Sequence, residues 1–172
     1  MHNAMKRALL ALVMLMFLPV AVGRTETPKT FLIHVTSSMN KHDARTVVMP
    51  HVALSALLKG YKVVILFDDE GVQAIKIGHW YGGHTTPLDK TALPEEELRS
   101  ISARLGLPAA SIPDNYGDFL RFLKGKGAEL FASKLAMDLR DIGGDRFDHA
   151  VTPVDIEKML EMFERAAVTV RY

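Results

Sequence analysis

The 172 residues include no cysteine. Without a thiol the chain can form no disulfide and carry no persulfide, because sulfur catenation and an ionisation near neutrality belong to that group. An exported protein of this composition is stabilised by burial alone. An excess of charge of one sign is lacking too: 21 basic side chains face 20 acidic ones, for a net charge of +1. That balance excludes a nucleic-acid binder held by a basic surface. Nor is there an apolar run long enough to span a bilayer. The longest, Ala8 to Val22, covers 15 positions and is interrupted by Pro19, whereas a spanning helix needs about 20.

That segment has the form of a secretory signal. Lys6 and Arg7 supply the positive end, Ala8 to Leu18 the apolar stretch, and Ala21-Val22-Gly23 a small-residue cleavage pattern. Cleavage is expected before Arg24, with retention as an anchor the alternative. Residues 1–23 thus read as a signal peptide and 24–172 as one domain with one core. Removing Lys6 and Arg7 leaves 19 basic against 20 acidic groups, a charge of −1. With no cysteine to take a lipid, the mature chain is expected to be periplasmic and to meet a membrane only during export.

Two continuous apolar runs, Phe31 to Thr36 (FLIHVT) and Lys62 to Phe67 (KVVILF), read as strands buried on both faces of a parallel sheet. Asp43 to Lys59 between them has helical spacing and ends at Gly60, a left-handed cap residue. Pro50 either kinks that helix or begins it. Val72 to Ile77 reads as a short helix, and His79 to Asp89 as a loop. Pro94 and the three glutamates after it open a helix ending at Gly106. Asp114 is expected to cap the next, whose apolar face is Tyr116, Phe119, Leu120 and Leu123 and which Gly125 closes. Ala128 to Ala132 is a third strand, running through Ser133 into a helix that reaches about Arg140. A fourth strand is expected near His149 to Val151. Thr152-Pro153-Val154-Asp155 then resembles a capping box with proline at the first helical position. Ile156, Met159, Leu160 and Phe163 form one stripe of that helix, and Ala167 to Tyr172 alternates like an edge strand. The fold class is α/β: a three-layer α/β/α sandwich around a mainly parallel five-stranded sheet, with flavodoxin-like layering.

Four segments in this order resemble the DsrE/DsrF-like family of small sulfur-relay proteins: Val35-Thr36-Ser37, Gly60-Tyr61-Lys62-Val63, Phe67-Asp68-Asp69-Glu70-Gly71-Val72, and Ala132-Ser133-Lys134-Leu135-Ala136-Met137-Asp138-Leu139. The resemblance covers the mature chain. It implies a homo-oligomer, or a partner protein in a sulfur pathway, and no cofactor. In that family a cysteine after the third strand accepts sulfur and hands it to a partner. Counting back from Met137, that position falls on Ser133, with Ala132 the alternative, and neither can hold a persulfide. The chain resembles a cysteine-less, exported member.

Ligands of open α/β sheets bind outside the carboxyl ends of the strands. There the candidate ligand-binding residues are Thr36, Ser37, Asn40, Asp68, Glu70, Ser133 and Lys134, with Trp80 as an aromatic flap. Ser133 is otherwise an ordinary helix N-cap. It could serve as the nucleophile of a hydrolase or transferase only with a loop histidine, and no G-x-S-x-G elbow surrounds it. His79, His84 and His42, near Met39 and the acidic turn Asp68, Asp69 and Glu70, are weak candidates for metal ligands, since imidazole, thioether and carboxylate suit copper or zinc. His34, within a strand, reads as a satisfied core histidine.

Overall fold

The computed structural model describes residues 27–38, 45–77 and 88–172. The two continuous apolar runs form β1 (Thr30–Val35) and β2 (Lys62–Phe67), paired in parallel with Ile33 opposite Ile65. They are the middle of a sheet ordered β4-β3-β2-β1-β5, where β3 is Glu129–Ser133, β4 is Thr152–Val154 and β5 is Ala166–Arg171. All four pairings are parallel. Burial on both faces explains why neither central strand alternates. Edge strand β5 does alternate between exposed and half-buried positions.

Among the described residues five helices cover the sheet: α1 (Arg45–Leu58), α2 (Glu95–Leu105), α3 (Tyr116–Gly125), α4 (Lys134–Leu139) and α5 (Ile156–Arg165). Side chains one apart on a strand enter opposite layers. Ile33, Val35, Ile65 and Phe67 join Met49 and Leu54 of α1, Ile101 of α2, Phe119 and Leu123 of α3 and Met137 of α4 in the larger core. Leu32, Val64 and Leu66 face the other way and meet Met162 of α5, with Phe131, Met159 and Phe163 around them. The three-layer sandwich is therefore lopsided. Among the described residues, one helix serves the second face.

Helix ends follow from local chemistry. Gly60 and Gly106 adopt φ of +80° and +63° just past α1 and α2, the left-handed geometry that stops a helix. Helix α1 runs through Pro50 instead of starting there, so one interior hydrogen bond is missing. The segment after β2 is a 3-10 turn, Asp69–Ile75, slightly earlier than its apolar residues suggest. Asn115, and not Asp114, caps α3, its side chain accepting from the Asp118 amide at 2.8 Å.

The largest correction is at β4. Pro153 does not open a helix but lies within the strand opposite Ala132, and the expected capping box is not formed. An edge strand can hold proline, because one row of its backbone groups has no partner strand and a missing N–H costs little there. The helix begins three residues later. Asp155 is its N-cap, accepting from the Lys158 amide at 2.9 Å. The apolar stripe of this helix divides: Met159 and Phe163 pack on the sheet, while Ile156 and Leu160 are 51% and 57% exposed.

Candidate functional site

The carboxyl ends of β1, β2 and β5 converge on a small polar cluster. His34, next to last in β1, points to the α5 side of the sheet, where its ring meets Phe163 edge-on at 5.1 Å. Its Nε2 lies 3.2 Å from Asp68 Oδ2. Asp68 stands where an N-cap for the 3-10 turn would be, but its carboxylate makes no cap bond and turns to the imidazole instead. His34 is thus satisfied, as its place in a strand suggests, but by a carboxylate and in a part-buried position. Its side chain is 15% exposed, and it forms an oriented pair with a carboxylate.

Thr36, two residues on, donates its hydroxyl to the Tyr172 carbonyl at 3.0 Å and accepts from Arg171 Nε at 3.1 Å. The Thr36 and Ser37 amides converge on the same Tyr172 carbonyl at 2.7 and 3.1 Å. Parallel pairing of β1 with β5 sets Arg171 opposite His34. The guanidinium is exposed, and its remaining donors have no partner among the described residues.

The turn after β2 is held tightly. The Asp68 amide donates to the Val35 carbonyl at 2.8 Å, and a Cβ at Gly71 would lie 2.1 Å from that oxygen, so glycine is required there. Asp69 takes a φ of +45°, a left-handed conformation that aspartate tolerates better than most residues. Its carboxylate is held by Arg140, just past α4, at 2.7 Å. Glu70 accepts from the buried Ser38 hydroxyl at 3.4 Å.

Ser133 ends β3 opposite Val154, one step beyond the pairing of Phe67 with Ala132. It is 3% exposed, and its hydroxyl accepts from the Ala136 amide at 3.3 Å as the N-cap of α4. Lys134 is exposed beside it. Among the sequence candidates, Thr36, Ser37, Asp68, Glu70, Ser133 and Lys134 come to this end of the sheet. Asn40, Met39, Trp80, His42, His79 and His84 lie outside the described residues. No cluster of three or more histidines and carboxylates able to hold a metal occurs among the described residues.

Sequence reasoning passed over His34, Arg171 and Arg140 as site residues. A signal existed for the first: His34 and Thr36 are two apart on one strand and share a face. Arg171 and Arg140 enter through strand pairing and helix placement, which local spacing does not encode.

No family model matches the chain, and no curated protein matches it. Among solved structures, the ychN protein from E. coli is similar, with a TM-score of 0.57 over 85% of this chain and 100% of that one, at 10% sequence identity. At that identity the likeness is one of fold. The ychN structure is DsrE-like, and so is the five-stranded parallel architecture found here.

Proposed function

We propose that this chain is an exported binding protein of DsrE-like fold that holds a small anionic sulfur compound, or a partner protein of periplasmic sulfur metabolism, at the carboxyl end of its sheet without covalent chemistry. The observation carrying this reading is how the hydroxyls there are used. Thr36 donates to the Tyr172 carbonyl, Ser38 to Glu70, and Ser133 is buried as an N-cap. An activated nucleophile needs access to substrate and a base within hydrogen-bond reach, and none of these three has that arrangement. Arg171 offers exposed donors beside Thr36, and guanidinium forks suit anions. Residues 1–23 would direct export, and the His34–Asp68 pair would orient a ring nitrogen at the site's edge.

Thiosulfate is the direct probe. It should raise the melting temperature of the mature protein, since a ligand preferring the native state stabilises it. Arg171→Ala should remove most of that shift, and the intact mass should be unchanged after incubation with polysulfide. An unaltered melting temperature overturns small-ligand binding. A covalent sulfur adduct overturns the non-covalent reading.

A further inference from the structure

A groove lies between α5 and the amino-terminal halves of the strands, at the end of the sheet opposite the polar cluster. Thr30 of β1, Lys62 and Val64 of β2 and Glu129 and Phe131 of β3 form its sheet wall. Strand register places them together: Thr30 is opposite Lys62 and Val64 opposite Glu129, so these alternate positions share the face that Leu32 and Leu66 present to α5. Helix α5 supplies the other wall. Its Lys158, Glu161, Met162 and Arg165 recur every three or four residues and so make one stripe over the groove. The cavity they enclose measures about 80 Å³.

The floor is apolar and the rim is charged. Val64 and Met162 are buried, with Phe131 half-buried against them. On the rim, Lys62 meets Glu129 Oε1 at 2.9 Å, and Lys158 holds Glu161 Oε2 at 2.9 Å. Arg165 lies 3.7 Å from that same Glu161 oxygen, too far for a hydrogen bond. Each carboxylate is therefore answered by a lysine, and the Arg165 guanidinium is the surplus charge of the three cations and two acids lining the cavity. Thr30 stands between Lys62 on β2 and Ala166, the residue after Arg165, on β5. A hydroxyl and two cations thus meet at one corner of an apolar floor.

We infer that this groove binds a small monocarboxylate with a short apolar chain, its carboxylate at Arg165 and its carbons on Val64, Phe131 and Met162. A guanidinium offers two parallel donors to the two oxygens of a carboxylate. The single surplus positive charge of the lining matches a monoanion. Size follows from the volume of about 80 Å³. One water needs roughly 10–15 Å³, so there is room for about six heavy atoms, those of a four- or five-carbon acid. The groove is at the other end of the sheet from the carboxyl-end cluster and does not depend on the function of that cluster.

Pentanoate is the probe, titrated into the isotope-labelled mature protein while amide and methyl resonances are followed by NMR. Acetate, the head without the chain, and pentanol, the chain without the head, are the controls. Pentanoate should shift the resonances of Thr30, Val64, Phe131 and Met162 along one saturating curve. Acetate should bind more than about tenfold more weakly, since each buried methylene is worth about fourfold in affinity. Pentanol should fall behind by roughly tenfold, the worth of a charge-assisted hydrogen bond. Arg165→Gln should weaken pentanoate by a similar factor, and because this side chain is 73% exposed the fold should be retained. Pentanoate that leaves the four residues unshifted overturns the site. So does either control binding as tightly as pentanoate, or an Arg165→Gln protein whose affinity for pentanoate is unchanged.

Discussion

Tyr116 shows how one side chain can set the alkaline limit of the fold. It is 2% exposed at the start of α3, and its hydroxyl donates to Glu97 Oε2 of α2 at 2.5 Å. His51 of α1 approaches the same oxygen at 2.9 Å. Burial first, then the Glu97 hydrogen bond and charge, raise the phenol's proton affinity well above the ordinary value of 10. The folded chain therefore keeps a proton that the unfolded chain gives up. Its contribution is complete below about pH 10 and declines as pH rises further, because stability falls wherever the native state binds more protons. Tyr116→Phe should cost about 1 kcal/mol near neutrality, the usual net worth of one hydrogen bond, and should flatten the alkaline decline. Urea midpoints at about pH 8 and about pH 11 measure both effects. Tyr172, also raised by burial, accounts for the slope expected to remain. Equal losses in wild type and variant between the two pH values would show that Tyr116 does not govern the decline.

At the scale of elements, the same sequence is legible in some places and opaque in others, for physical reasons. Strands β1 and β2 were readable because burial on both faces demands continuous apolar runs, and the ends of α1 and α2 because Gly60 and Gly106 permit left-handed backbone. The start of α5 is opaque because Pro153 suits both a first helical turn and an edge strand, and only pairing with β3 decides between them. Ser133 could be placed by motif, and its capping role follows from local geometry. The His34–Asp68 pair and the Thr36–Arg171 contact arise from residues 34 and 135 positions apart, joined by parallel strands. No periodicity announces them. The corrected boundary of α5 has a measurable consequence. Asp155→Ala should lower stability by about 1 kcal/mol, as expected for removal of an N-cap acceptor. Thr152→Ala should be nearly silent, since Thr152 is exposed in β4. A urea titration in which Thr152→Ala is the costlier change would restore the capping box and move the helix start back.

Across the whole molecule, the unequal layers imply unequal resistance to opening. Helix α5 connects β4 at one edge of the sheet to β5 at the other, so it crosses the second face over β1 and β2. Among the described residues the buried apolar set between it and the sheet is Leu32, Val64, Leu66 and Met162, far smaller than the core that α1 to α4 share with the opposite face. Apolar burial contributes about 25 cal/mol per Å², so detaching α5 exposes much less stabilising surface than unfolding the sheet. Strand β2, with β1 and β3 on either side and Val63 to Phe67 all buried, opens only when the whole fold does. Native-state hydrogen exchange should accordingly resolve two levels: α5 amides exchanging through a partial opening of low free energy, and β2 amides only through global unfolding. Met162→Ala should widen the gap for α5, because this side chain is the buried link between helix and sheet. If α5 and β2 amides share one opening free energy, the two faces unfold as a single unit and the smaller layer is not the weaker one.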